Sequence, residues 1–241
     1  MRLLAVSDEV DPRLETPLAR RLRPDLLLGA GDLDVDYLDY LSNLFEVPLV
    51  FVPGNHDVDL SGLRRSRGGL LLRAGLPSPE LGPAGGLAAD GEVVDVAGLR
   101  IAGLGGSIRY RLGPNQYTQR EQARRGRKLV RRAGRLQRRD GRGVDVLLTH
   151  SPPLDCGDGD DGPHRGFAAL HDVAAALRPQ LLLHGHIHPY GQPAPDRFLD
   201  GTRVVNVVGH KLLELDGPAG TSPTGRYARH QLTAPRCREG R

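Results

Sequence analysis

Five short apolar runs in this chain end in side chains able to hold a metal ion: Asp8, Asp32, Asn55, His150, and the pair His186 and His188. The most pointed is Val50-Phe51-Val52-Pro53-Gly54-Asn55-His56-Asp57, a buried-strand pattern stopped by Pro-Gly and followed at once by an amide, an imidazole and a carboxylate. Asparagine is a hard oxygen ligand without charge, and a neighbouring histidine moves protons near neutral pH. A single His or Asp after a strand is ordinarily a turn residue or a satisfied polar group. Five such endings, mixing carboxylate, amide and imidazole without cysteine, point instead to a centre for Mn, Fe, Zn or Ni.

Ligand groups at strand ends require a sheet to carry them, and α/β sheets form ligand sites there. Leu3-Leu4-Ala5-Val6, Leu26-Leu27-Leu28 and Val50 to Val52 read as strands. Between the last two, Tyr37, Leu38, Leu41 and Leu44 recur at helical spacing, with Asp34 and Asp36 near the helix start. Leu14 to Leu22 is mildly helical, with a late start at Pro17. Strand, helix, strand is a parallel-sheet pattern. From Leu60 to Gly91 the chain reads as a long loop with a little local structure around Leu70 to Leu72. Val93 to Val96 and Leu99 to Ala102 form a hairpin around Ala97-Gly98. Asn115 to Arg139 is a long basic helix, weakened by Gly126 and Gly134. Val144 to Leu148 is a strand, Ala168 to Leu177 a helix, and Leu181 to Leu183 a strand. Val204 to Val208 and Leu212 to Leu215 are expected to close as a final strand pair.

The 241 residues suit one fairly large domain over residues 1–216, with a disordered tail at 217–241 that has little to bury. Aromatic residues are only 4% and Trp is absent, so the core is Leu, Val and Ala and base stacking is disfavoured. Of 33 basic residues only Lys128 and Lys211 are lysine, a bias that makes arginine abundance alone a poor guide to function. Cys156 and Cys237 show no framework spacing and suit a reducing compartment. No signal peptide and no membrane-length apolar run is visible. The expected location is cytoplasmic, and the oligomeric state is not encoded in any pattern here.

The order of the ligand blocks resembles the calcineurin-like metallophosphoesterases. That family's pattern is Asp-x-His, Gly-Asp-x-x-Asp, Gly-Asn-His-Asp or -Glu, a lone His after a strand, and Gly-His-x-His. Here the blocks stand as Asp8-Glu9-Val10, Gly31-Asp32-Leu33-Asp34-Val35, Gly54-Asn55-His56-Asp57, His150, and Gly185-His186-Ile187-His188. The resemblance covers about residues 1 to 215. It implies an α/β fold of the metallophosphoesterase type, a four-layer α/β/β/α sandwich with two mixed sheets. It also implies two divalent metal ions, Mn favoured, bridged by Asp32. Asn55, His150 and His186 complete one site, and Asp8 and His188 belong to the other. His56 and Asp57 are assigned to catalysis, His56 stabilising developing charge or protonating the leaving group. The implied reaction is hydrolysis of a phosphoric mono- or diester of a small molecule.

Two positions depart from the pattern. Val10 replaces the histidine of the first block, leaving the Asp8 and His188 metal one nitrogen ligand short and weaker. Glu9 is no ready substitute, because in an extended segment its side chain points away from that of Asp8. Val35 replaces the second aspartate of the second block, between Asp34 and Asp36. The acidic loop after His150 supplies Asp161 and His164 as candidates for the depleted metal or the substrate, and Arg109 is a candidate for lining the cleft. Residues 109–142 carry thirteen Arg and Lys against Glu121 and Asp140. These charges are spread around the helix with few aromatics between them, so a solvated face is expected rather than a nucleic-acid site. The rivals to an esterase are a non-catalytic scaffold of the same fold and a nucleic-acid-processing variant.

Overall fold

The computed structural model describes residues 1–60, 62–66, 71–78, 82–191, 194–215 and 238–239. The chain opens with β1 (Arg2–Ser7), two short 3-10 turns (Pro12–Glu15 and Pro17–Leu22), β2 (Leu26–Gly29), α1 (Val35–Phe45) and β3 (Leu49–Phe51). There follow β4 (Leu63–Arg65), β5 (Leu71–Arg73), β6 (Leu76–Pro77), β7 (Leu87–Ala88), β8 (Val93–Val96) and β9 (Leu99–Leu104). Next come β10 (Ser107–Ile108), β11 (Gln116–Tyr117), α2 (Gln119–Asp140), β12 (Val146–Thr149), α3 (Ala169–Leu177) and β13 (Leu181–His184). The last strands are β14 (Arg197–Leu199), β15 (Thr202–Asn206), β16 (Gly209–Glu214) and β17 (Arg238–Glu239).

Alternation along the strands dictates the layers, because neighbouring strand residues face opposite sides. Leu3, Ala5, Leu26, Leu28 and Val50 share one core with Ile101, Val146, Leu148, Leu181, Leu183 and Val205. Leu4, Val6, Leu27 and Leu49 face the other way, against Leu38 and Leu41 of α1 and against Leu14. Leu147, Leu182 and Val204 likewise turn outward, onto Leu129, Ala133, Leu170 and Val173 of α2 and α3. Two sheets therefore meet face to face and each is covered outside by helices, the expected α/β/β/α order. The first sheet runs β16-β1-β2-β3-β7 and the second β17-β14-β15-β13-β12-β9-β8. In the first, β1, β2, β3 and β7 are parallel and β16 is antiparallel. In the second, β9, β12, β13 and β15 are parallel, while β8 and β14 are antiparallel to their neighbours.

The 60–91 stretch is less empty than expected: β4, β5 and β6 make a small antiparallel sheet, and β7 adds to β3. β15 and β16 do not pair with each other. β15 lies beside β13, whereas β16 crosses to the first sheet and pairs antiparallel with β1, Leu3 opposite Leu213. Both carry residues of the inter-sheet core, Val205 and Leu213, and membership of opposite sheets buries both. The basic helix starts later than expected, at Gln119, because Thr118 and Glu121 form a capping box and Asn115 sits at a φ of 52°. Gly126 has a packing role: a Cβ there would come within 2.7 Å of Val173 Cγ2, so the glycine lets α2 approach α3.

Cys156 is fully buried and disulfide-bonded, against the expectation of reduced cysteines, and its partner lies outside the described residues. The tail expected to be disordered also lies outside them, apart from β17 on the edge of the second sheet. No helix among the described residues is long and apolar enough to cross a membrane.

A buried arginine ties the end of α2 to the second sheet. Arg100 is 1% exposed and pairs with Asp95 and Asp140, and also donates to the Arg142 carbonyl. These contacts offset the unfavourable placing of Asp140 at a helix C-terminus. Hydrogen bonds to Arg100 hold both carboxyls below the usual carboxylate range. Their contribution is therefore present above the ordinary carboxylate pKa and is lost as pH falls through the depressed values. Arg100→Met is expected to destabilise the fold at neutral pH. In denaturant melts of both proteins, the gap should narrow on acidification; a gap that widens would contradict the pairing.

Candidate metal centre

Three of the candidate ligands stand in left-handed backbone: Asp8 at φ 61°, Asp32 at 56° and His186 at 66°. This conformation is strained for residues other than glycine and collects at functional sites. At two of them the chain closes a three-residue turn. Glu9 N–H donates to Ser7 O at 2.6 Å, and Ile187 N–H to Gly185 O at 2.8 Å. These turns follow β1 and β13, in different sheets, and face each other: His186 N–H donates to Asp8 Oδ2 at 2.9 Å. Glycine is required where the loops meet. A Cβ on Gly185 would lie 2.2 Å from Asp8 Oδ2, and one on Gly54 would lie 2.0 Å from Asp32 Oδ1.

The loops bring Asp8, Asp32, His150 and His186 together so that one ligand atom from each lies within 4.8 Å of the others. His150 Nε2 stands 3.3 Å from Asp32 Oδ2 and 3.1 Å from Asn55 Oδ1. Its Nδ1–H donates to Ala30 O at 2.8 Å, and His186 Nε2–H donates to Pro163 O at 2.9 Å. His150 thus spends one nitrogen on a backbone carbonyl and turns the other to the cluster, the support that metal-binding histidines use. His188 stands beside them, with Nε2 3.8 Å from Asp8 Oδ1 and Nδ1 2.7 Å from Glu9 Oε1.

The electrostatics fit a cation. Burial pushes His150 down, yet its hydrogen bond to Asp32 and the charges of Asp8 and Asp32 raise it to about 9. Burial would raise Asp32, but the same bond holds it low. His186, desolvated and beside His150, is pushed down to about 3. Positive charge on His150 thus offsets part of the carboxylate charge. A divalent ion supplies that charge while taking neutral imidazole, amide oxygen and carboxylate as ligands, so the residues present fit a metal.

The other expected residues divide. Asp57 accepts backbone N–H groups from Gly54 at 2.7 Å and Asp32 at 3.0 Å, so its carboxylate ties two ligand loops together; burial pushes its pKa up. His56 N–H donates to Asp32 Oδ1 at 2.8 Å and its ring is exposed. His164 packs against His186, ring centroids 5.3 Å apart, and Asp161 accepts from His164 Nδ1 at 2.8 Å. Arg109 is drawn elsewhere, to Glu121 at 2.9 Å and to the Gln116 carbonyl. From the same loop it is Tyr110 and Arg111 that approach, the one at Asn55 and the other at His56.

Glu9 does come to the site, against the extended-strand argument. The positive φ at Asp8 ends the strand alternation, and the turn swings Glu9 onto His188. Val10 is 46% exposed and shares an open cavity of about 930 Å³ with Val35, Tyr37 and Tyr40. The two departures from the ligand pattern therefore sit side by side.

A family model described as calcineurin-like phosphoesterase matches residues 3–190. No curated protein matches the chain significantly. Among solved structures, one crystal structure is similar at a TM-score of 0.54 and 14% identity, covering 89% of this chain and 99% of that one. The crystal structure of TT1561 of Thermus thermophilus is similar at 0.49 and 15% identity, covering 85% and 88%.

Proposed function

The chain belongs to the calcineurin-like phosphoesterase family, and on that footing we propose that it hydrolyses a small-molecule phosphoric ester with water activated at a centre of two divalent metals, Mn favoured. The observation that carries this reading is the convergence of Asp8, Asp32, His150 and His186 from both sheets. Metal ions there lower the pKa of bound water and stabilise attacking and leaving oxygens.

The chain's own groups take distinct parts. Asp32, Asn55, His150 and His186 would hold one metal, with Asp32 serving both. Asp8 and His188 serve the other, and Glu9 orients His188 through Nδ1 rather than replacing the absent ligand itself. His56 faces the cleft and donates a proton to the departing oxygen or stabilises its charge. Asp57 fixes the backbone that holds Asn55 and His56.

A nucleic-acid substrate is less favoured. α2 packs on the outer face of the second sheet. Arg125 and Arg132 are spent on Asp90 and Glu92. Protein purified without chelator should hydrolyse an aryl phosphate ester, gain activity with added Mn and lose it in EDTA. Metal-free protein that stays inert in Mn, Ni and Zn would remove the reading.

A further inference from the structure

The loop between β10 and β11 is held against the site by its own hydrogen bonds. Gln116, 3% exposed, accepts the N–H groups of both Tyr110 and Arg111 on its side-chain oxygen, at 3.3 and 3.2 Å. Asn115 Nδ2 donates to the Asp57 carbonyl at 3.0 Å, pinning the returning leg to the Gly54–Asp57 block. Arg109 anchors the base on Glu121. So fixed, the loop presents two side chains to consecutive residues of that block. Asn55 Nδ2 donates to Tyr110 OH at 3.4 Å, which sets the amide so that its oxygen faces His150. Arg111 Nη2 lies 3.4 Å from His56 Nδ1, and the guanidinium sits 5.4 Å from the Tyr110 ring centroid.

Arg111 has no carboxylate partner among the described residues, unlike Arg109, Arg125 and Arg132, which are paired. A guanidinium is always charged and has five donors, so one bond to His56 leaves the others available. Because it can only donate, it makes His56 Nδ1 the acceptor and places the ring proton on Nε2. An unpaired, exposed guanidinium at the edge of a centre with two carboxylates suits an anion that arrives with substrate.

We propose that Arg111 binds the phosphoryl oxygens of the substrate while holding His56 with its proton on Nε2. This rests on the esterase reading and names the residue that receives the phosphate. Arg111 touches the substrate in this assignment; Tyr110 is a positioning residue acting through Asn55.

The test is titration of Mn-loaded protein with inorganic phosphate, read by calorimetry, alongside steady-state hydrolysis of an aryl phosphate. Arg111→Ala should weaken phosphate binding by about tenfold or more, as expected for a lost charged hydrogen bond, and raise KM. Arg111→Lys should recover most of the phosphate affinity, but less of kcat, because it lacks the planar fork that also holds His56. Leu112→Ala, at a side chain that is 96% exposed, is the control in the same loop and should change neither. Arg111 is exposed, so melting curves should match wild type. Active wild type with phosphate affinity unchanged in Arg111→Ala overturns the assignment while sparing the esterase reading. Wild type that binds phosphate through Arg111 but hydrolyses nothing does the reverse.

Discussion

Asp32→Asn should abolish hydrolysis, lowering kcat/KM by about a thousandfold or more, or roughly 4 kcal/mol of transition-state stabilisation. The substitution keeps the shape of the side chain and removes its charge. Asp32 Oδ1 takes the His56 backbone N–H and Oδ2 faces His150, so the loss reaches two ligand loops at once. Asn55→Ala and His186→Ala should be nearly as severe. His188→Ala separates one-metal from two-metal chemistry: equal inactivity supports two metals, and substantial activity with about one metal per chain supports one. Kinetics and metal content on the same preparations decide it. Asp32→Asn with more than a tenth of wild-type activity would break the bridging assignment.

Gly54→Ala should be almost as damaging, although it deletes no chemical group. The added methyl would stand 2.0 Å from Asp32 Oδ1 and 2.7 Å from Asp32 N. Relief requires the Asp32 loop or the Asn55 loop to move, and Asp57 bonds to both and resists that movement. Overpacking of this kind costs about 1–3 kcal/mol of stability. An ångström of ligand displacement should cost about a hundredfold in activity. Gly143→Ala is the control, since nothing lies within 4 Å of its added methyl and its φ is not positive. Thermal melts and Mn titration of the two variants should diverge sharply. Equal Mn affinity in Gly54→Ala and wild type would mean that the loops are slack.

The strands were readable because each is an uninterrupted apolar run, as a sheet covered on both faces requires: Leu3 and Ala5 face one core, Leu4 and Val6 the other. The candidate ligands were readable for a related reason, since each follows a run that stops abruptly. Glu9 was not readable, because its position depends on a positive φ at Asp8, and aspartate's modest preference for left-handed backbone does not single out Asp8 among the chain's aspartates. Arg109 and Arg111 are the same residue type two apart; the pair with Glu121 and the Gln116 staple decide which one reaches His56. The destination of β16 was hidden because its apolar pattern fits pairing with β15 as well as with β1.

The place of β16 bears on where this chain can be cut. Every candidate ligand precedes residue 190, where the family match ends. A chain stopped there would hold the whole ligand set and still leave Leu3-Leu4-Ala5-Val6 without its partner along the full register from Arg2 to Ser7. A bare apolar edge of that length invites pairing between molecules. Such a fragment should precipitate rather than bind metal. β16 thus acts as a guard on β1, whose edge stays bare until translation has passed residue 214.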